Sequence, residues 1–186
     1  VKCASNIRHI GSALLLYAAT NENKLPETSH TAAVGQSWIY TLSEYLGDCD
    51  EVRICPADPK GEERFAAGGT SYILNSFLFV PQLDPFGQPL GGPSNSVALI
   101  ENPAETAMAF IISDLQGVGD ANDHTHSYRW NSWSAVVSDI SPGRFGGGNS
   151  PMHAQGSSNY LFADGHVEQI DASVMKERIN SGDNFA

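Results

Sequence analysis

The residues best suited to metal chemistry are histidines and carboxylates in the second half of the chain. His124 and His126 form a His-x-His pair, and in an extended segment two such side chains point to one face, a spacing common in metal sites. Four further candidate ligands lie where predicted strands or turns end: Asp114, His153, Asp164 and His166. If the polar loop around the pair folds over the end of a sheet, these six side chains could meet at one cation.

The donor types leave the identity of such a cation open. Imidazoles favour zinc or another transition metal, whereas Asp120, Asn122 and Asp123 with backbone carbonyls favour calcium. The segment lacks the turn glycine and the closing glutamate of an EF-hand, which excludes that motif. Each candidate also has a structural explanation, because histidines are often simply solvated and Asp164-Gly165 is a favoured turn without a metal. Calcium and zinc are therefore candidates, and the sequence requires no cofactor.

Catalytic motifs do not emerge from the sequence. It contains no GxSxG, no HExxH and no glycine loop that leads into a helix to cradle phosphate. We therefore predict that the protein is not an enzyme. A metal-dependent hydrolase is a more remote reading, which would need an open coordination position and a bound water. Tyr128, Trp130 and Trp133 are either a sugar- or partner-binding patch or the lid of the core.

Composition and charge narrow the class of protein. The 186 residues are 41% hydrophobic and 17% charged, which is typical of one ordered globular domain. The net charge of −11 argues against nucleic acid and anionic membrane surfaces as partners, because both carry negative charge themselves. The sequence shows no bilayer-spanning stretch and no signal peptide. Since it begins at Val1, already inside a helical pattern, we interpret it as a processed form whose natural N-terminus lies upstream.

The chain contains three cysteines, Cys3, Cys49 and Cys55. An odd number allows one disulfide and one free thiol, with three possible pairings. Cys49 with Cys55 would close a short loop, whereas Cys3 with Cys55 would join the first helix to that loop and close a longer ring. The remaining alternative is three buried thiols. The pairing is open at this level.

Two periodic segments lie in the first quarter of the chain. A helix over residues 2–20 is predicted by apolar residues at spacings of three and four. These residues are Cys3, Ile7, Ile10, Leu14 and Tyr17. A shorter helix is predicted over residues 37–47, with Gly47 at the left-handed position that often ends a helix. A polar loop follows from residue 48 to residue 69.

Strand-like runs fill the remainder. The predicted strands cover residues 71–80, 97–100, 106–113 and 133–140, and a C-terminal hairpin turns at Asp164-Gly165. A Pro- and Gly-rich loop over 81–93, a polar loop over 117–131 and a glycine-rich loop over 141–156 separate them. Asp171 is the predicted N-cap of a terminal helix that ends at Gly182. Its inward-facing residues are predicted to be Val174, Met175 and Ile179.

This order predicts an α+β fold in a single domain. Helices come first and strands follow, joined by connections too short or too polar to be crossover helices. The expected parts are a long N-terminal helix over 1–20, a helix and loop over 21–69, an antiparallel sheet with inserted loops over 70–170, and a short terminal helix over 171–182. The amphipathic N-terminal helix should pack on the sheet.

Segments spread over most of the chain resemble, in order, the bacterial pilin-like pseudopilins. The first comprises residues 3–18 followed by 23–26, and the middle ones are Cys55-Pro56-Ala57-Asp58, residues 71–75 and residues 103–106 leading to Asp114. Residues 159–167 resemble the C-terminal module, which has a His, a nine-residue gap and Asp-Gly. Here ten residues separate His153 from Asp164.

The resemblance implies a fold, a location and partners. It implies a pilin-like head whose first 20 residues are the exposed half of a long helix, preceded by an apolar helix and a prepilin-type leader. The full-length protein would be anchored in the inner membrane with its head outside the cytoplasm. Its partners would be other pilin-like subunits, bundled through the apolar helices, in a type II secretion or type IV pilus-like assembly. The alternative is a membrane-tethered module that binds a metal or a carbohydrate.

Overall fold

A computed structural model describes residues 1–33, 35–81, 86 and 95–186. The fold is α+β, as predicted, with a four-stranded antiparallel sheet between layers of helix. The helices are α1 (Lys2–Thr20), α2 (Trp38–Thr41), α3 (Gly61–Ala66), α4 (Ser76–Phe79), α5 (Trp133–Asp139) and α6 (Ala172–Asn180). The Pro- and Gly-rich segment predicted as a loop over 81–93 lies largely outside the described residues.

The sheet runs in chain order, with every neighbouring pair antiparallel. Its strands are β1 (Tyr72–Leu74), β2 (Ala107–Ile111), β3 (Ser157–Phe162) and β4 (Val167–Asp171). The predicted Asp164-Gly165 hairpin joins β3 to β4, and Gly165 has a φ of +90°, which an L-residue rarely adopts. Strand β3 is buried on both faces, as its uninterrupted apolar run predicts.

Helix α1 covers one face of the sheet with the predicted stripe. Ile7, Ile10 and Leu14 are completely buried and pack with apolar residues of β1, β2 and β3. The approach is close, since a Cβ added at Gly11 would lie 2.5 Å from Cδ1 of Leu161. Burial of three such side chains stabilises the docked helix by roughly 1.5–3 kcal/mol each.

The opposite face is covered by α5 and α6, which makes the domain three layers. The prediction of a strand over 133–140 was wrong. Its buried residues, Trp133, Val136, Val137 and Ile140, recur at helical spacing. The hydroxyl of Ser132 accepts a hydrogen bond from Ala135 N at 3.3 Å and caps the helix. The β-propensity of the two valines is thus overridden by the periodicity and the cap.

Two other elements are shorter than predicted, and a third is of a different type. The strand predicted over 71–80 ends at Leu74, because Asn75 accepts a hydrogen bond from Phe77 N and caps α4. The predicted strand over 97–100 is a short 3-10 turn. The helix predicted over 37–47 is α2 followed by a 3-10 turn, and Gly47 takes the expected left-handed conformation.

The terminal helix α6 was predicted correctly in position but not in all its contacts. Asp171 occupies the N-cap position, yet its side chain makes no capping hydrogen bond. Met175 and Ile179 are buried as predicted, whereas Val174 is 45% exposed and does not face inward. Within the described ranges, no helix is both long and apolar enough to cross a membrane.

A buried ion pair orders the segment predicted as a polar loop over 48–69. Arg64, on α3, donates from Nε to Asp58 at 2.9 Å, and both side chains are completely buried. Ser71 donates to the same carboxylate oxygen at 2.7 Å, and Arg64 Nη2 donates to Ser113 O at 3.1 Å. The pair therefore connects α3 to Ser71, just before β1, and to Ser113, just after β2.

Candidate functional site

The His-x-His pair lies in an extended segment beside the free edge of β1. Leu74 N donates to Asp123 O at 3.0 Å and Thr125 N donates to Leu74 O at 2.8 Å, so the segment forms a parallel bridge with the sheet. Trp38 Nε1 also donates to Asp123 O at 3.0 Å and fixes α2 against the same backbone. The polar loop is thus ordered at this point, and its side chains have fixed directions.

Alternation along this segment separates a buried polar face from an outer face. Asp123, Thr125 and Ser127 are completely buried. Thr125 accepts from Ser76 N at 3.0 Å, and the Ser127 and Ser76 hydroxyls share a hydrogen bond of 2.8 Å. The intervening residues therefore project to the other face, as the two-residue period predicts. These residues are His124, whose side chain is only 9% exposed, and His126, whose side chain is 48% exposed. Tyr128, which is also exposed, follows in the 3-10 turn Ser127–Arg129.

The outward imidazoles form a row with a third histidine from a distant part of the chain. The ring centroids of His124 and His126 are 5.4 Å apart. The ring of His30 packs edge-on against His124 with a centroid separation of 5.5 Å. We call these three residues the histidine row. The His30 and His124 rings are nearly perpendicular, at 86°, and those of His124 and His126 are inclined at 45°.

Two buried carboxylates lie next to the histidine row, each near the Nδ1 atom of one imidazole. Asp123 Oδ1 lies 2.8 Å from His124 Nδ1, and the same carboxylate accepts hydrogen bonds from Ser29 N at 2.9 Å and Ser29 Oγ at 2.7 Å. Asp139 lies at the end of α5, where Oδ1 is 3.6 Å from His126 Nδ1. That separation is too long for a hydrogen bond.

The chemistry open to the row follows from these contacts. A carboxylate on Nδ1 fixes the ring and leaves Nε2 of His124 as the nitrogen that can bind a metal, the arrangement usual behind metal-ligating histidines. Among the described residues, however, no three His, Cys, Asp or Glu side chains are placed to hold one ion. A three-ligand site is therefore not preassembled among the described side chains.

The other predicted ligands make contacts elsewhere, and the structure does not bring them to the row. Asp114 lies 2.6 Å from the buried guanidinium of Arg144, which also donates to Ile112 O at 2.8 Å. His153 is exposed, and its backbone N–H donates to Ser150 Oγ. The long-range placement of these residues could not be read from the loop's composition.

Asp164 and His166 form a separate pair at the hairpin tip. Asp164 Oδ1 accepts from the backbone N–H of His166 at 3.0 Å and lies 2.6 Å from its Nδ1. These two contacts, the backbone one first, hold the pKa of Asp164 below its usual value. The His166 ring stacks on Phe162 at 4.4 Å, and Gly165 lies against Leu15 of α1. The pair is therefore explained by the turn and by its docking on α1.

The aromatic residues of the loop divide between core and surface. Trp130 and Trp133 are buried, and the indole of Trp130 donates to Asp139 Oδ2 at 3.0 Å. Tyr128 is 47% exposed and packs near His126. The two tryptophans thus form the lid of the core, and a sugar-binding patch built from all three aromatics is not present.

The three cysteines are free thiols. Cys3 and Cys55 are buried in the same core cluster beneath α1, while Cys49 is exposed. Of the three possible pairings, the structure therefore places the residues of one, Cys3 and Cys55, in the same cluster.

Sequence reasoning missed two residues of the histidine row region. His30 gave no signal, since it lies in a turn more than 90 residues before its neighbour. Asp123 was considered only as a calcium ligand, although its alternation with Thr125 and Ser127 indicates a buried polar edge.

Comparison with known proteins adds no relative. No family model, no curated protein and no solved structure matches this chain.

Proposed function

We propose that this chain is the globular head of a pilin-like subunit and that its role is structural. The resemblance of the α1 segment, the Cys55-Pro56 segment and the Asp164-Gly165 module to pseudopilins motivates the proposal. The observation that supports it most is the docking of α1, whose apolar stripe packs on the antiparallel sheet and on the segment that contains Trp38, Leu42 and Cys55, while its other face is exposed.

The contacts of α1 suit a helix that transmits load to its head. One helix face is held by Gly11 against Leu161, and Asn6 Nδ2 donates to Ile54 O at 2.9 Å. The hairpin tip adds a third contact through Gly165 and Leu15. These contacts lie at three positions along α1, so all of them would have to break together for the head to pivot about the helix.

This role gives the Asp-Gly module a physical purpose. The turn requires a positive φ at Gly165, and Asp164 closes the turn by accepting from His166 N. Asp164 N donates to Pro103 O at 3.2 Å, which links the tip to the segment before β2. The module thereby fixes the edge of the sheet against α1, and no metal is needed for that.

The proposal includes a location and partners. The full-length product would be anchored in the inner membrane by an apolar helix upstream of Val1, with this head outside the cytoplasm. Other copies or related pilin-like subunits would be its partners through those helices. The formal charge of −11 on the head is consistent with protein partners rather than nucleic acid.

Two measurements test the proposal. The gene is read upstream of the codon for Val1, where the proposal expects about 20 predominantly apolar residues after a short basic leader. The full product is then located by membrane fractionation, with protease added to intact spheroplasts. Membrane association with a protease-sensitive head is the expected result, and a head found protected in the cytosol would contradict the proposal.

A second candidate function is metal binding at the histidine row. The observation that favours it is the side-by-side placement of three imidazoles, with the carboxylates of Asp123 and Asp139 behind two of them. A metal held there would serve as a structural or sensory ligand of the head, with zinc or another transition metal preferred by nitrogen donors.

Calorimetric titration with zinc chloride tests this candidate. His124→Ala should abolish the binding signal, and His153→Ala, a histidine on the surface outside the row, is the matched control. Binding that both variants retain, or the lack of binding in the parent protein, would remove the candidate.

A further inference from the structure

The buried core beneath α1 contains two thiols in contact. Cys3 lies in the first turn of α1 and is 5% exposed, and Cys55 lies in the loop before α3 and is 1% exposed. Both side chains lie in the same buried cluster as Tyr72, close enough for one thiol to interact with the other. The third cysteine, Cys49, is exposed and directs its thiol towards Glu51 at 3.7 Å.

Several polar contacts hold the two thiols in place. The hydroxyl of Tyr72 lies 3.3 Å from Cys3 Sγ and 3.2 Å from Cys3 O, so β1 anchors the cysteine from below. One turn further along the helix, Asn6 Nδ2 donates to Ile54 O, the residue next to Cys55. Both backbones that carry the sulfur atoms are therefore fixed relative to each other.

We infer that Cys3 and Cys55 are a disulfide-forming site that cross-links α1 to the loop before α3 when a disulfide oxidant is present. The inference is independent of the proposed structural role, since it depends only on these two side chains and their neighbours. The ring it closes contains roughly 50 residues and includes α2 and both intervening 3-10 turns.

The reaction is a thiol–disulfide exchange with a low-molecular-weight disulfide such as glutathione disulfide. The thiolate of Cys3 attacks one sulfur of the oxidant, forms a mixed disulfide and expels one glutathione thiolate. Cys55 then loses its proton and attacks Cys3 Sγ, which expels the second glutathione thiolate. Two protein thiols are oxidised to one disulfide, the oxidant is reduced to two thiols, and the two protons pass to the leaving thiolates.

The surroundings of Cys3 make it the attacking group. The hydrogen bond from Cys55, with smaller contributions from Tyr72 and Asn159, lowers the pKa of Cys3 to about 7 despite its burial. The same contact raises the pKa of Cys55, which therefore acts second. Cys3 also lies beside the exposed residue Lys2, at the rim of the core, so local opening between α1 and the loop before α3 gives an oxidant access to it.

Differential alkylation tests the inference, with Cys49 as an internal control. The reduced protein is incubated with glutathione disulfide, denatured, and treated with N-ethylmaleimide before mass spectrometry. The expected product carries one label, on Cys49, and yields a peptide pair joined through Cys3 and Cys55. Three labels, a cross-link that includes Cys49, or stable glutathione adducts at positions 3 and 55 would each overturn it.

Thermal unfolding gives a second readout. Oxidation should raise Tm by about 5–15 °C, because the cross-link removes conformations from the unfolded chain. The shift should persist in Cys49→Ser and disappear in Cys55→Ser. If Cys55→Ser does not fold, the Cys49→Ser protein still decides the matter, since an unchanged Tm after complete oxidation would contradict the inference.

Discussion

Leu14 and Leu16 offer a matched test of the docking of α1. Both are leucines of the same helix, but Leu14 is completely buried against the sheet and Leu16 is 55% exposed. Leu14→Ala removes buried methyl groups and leaves a cavity, and such changes cost about 2–5 kcal/mol. Complete burial and the close approach at Gly11 leave little room for collapse, so we expect about 3 kcal/mol or more.

Leu16→Ala should behave differently in the same helix. It removes little buried surface, and alanine is the slightly better helix former, so the free energy of unfolding should stay within about 0.5 kcal/mol of the parent. Urea denaturation followed by tryptophan fluorescence measures both variants, and Tm should fall by ~6–12 °C for Leu14→Ala alone. Equal losses at the two positions, or a loss below about 1 kcal/mol at Leu14, would refute the packing of α1 on the sheet.

Two further predictions concern charged groups. Arg64→Met should lower the free energy of unfolding by about 3–5 kcal/mol, because Asp58 is left buried without its partner. Arg8→Met, on the exposed face of α1, is the control and should change it by less than about 0.5 kcal/mol. Urea denaturation measures both variants, and similar losses of stability would contradict the role of the Arg64–Asp58 pair. Asp164 should titrate below the usual carboxyl range in NMR, and part of that lowering of its pKa should survive His166→Ala, since the backbone N–H of residue 166 is its largest cause. Because the pKa of Asp164 is lower in the folded than in the unfolded protein, its contribution to stability is complete above the usual carboxyl pKa and is lost as pH falls through the folded pKa. An ordinary carboxyl pKa for Asp164 in the parent protein would contradict this prediction.

Local sequence signals predicted the parts of the fold that depend on short-range chemistry. The stripe of α1 and the Asp164-Gly165 turn each have a spacing or residue type that only one structure satisfies well. The segment 133–140 shows the limit of that approach. Its two adjacent valines favour a strand, yet burial at Trp133, Val136, Val137 and Ile140 follows the helical period, and the Ser132 cap settles the competition.

Only those parts of the candidate site that depend on neighbouring residues in the sequence were predictable. The same-face placement of His124 and His126 follows from the two-residue period of an extended segment. The position of His30 next to His124 and the burial of Asp123 depend on tertiary contacts with Ser29 and β1. Such contacts produce no periodic pattern in the sequence from which they could be predicted. The contact of Asp114 was unpredictable for a related reason, since Arg144 lies beside it but comes from a loop 30 residues further along the chain.

Photo-crosslinking in cells tests the proposed assembly most directly. A photoreactive amino acid is placed at Ser12, on the exposed face of α1, or at Val174, on the layer beyond the opposite face of the sheet. In the full-length product, the proposed assembly predicts copy-to-copy adducts from position 12 and few from position 174, because it would bundle the apolar helices that continue from α1. A product that yields no such adducts from position 12, or equal yields from both positions, would contradict a pilin-like assembly.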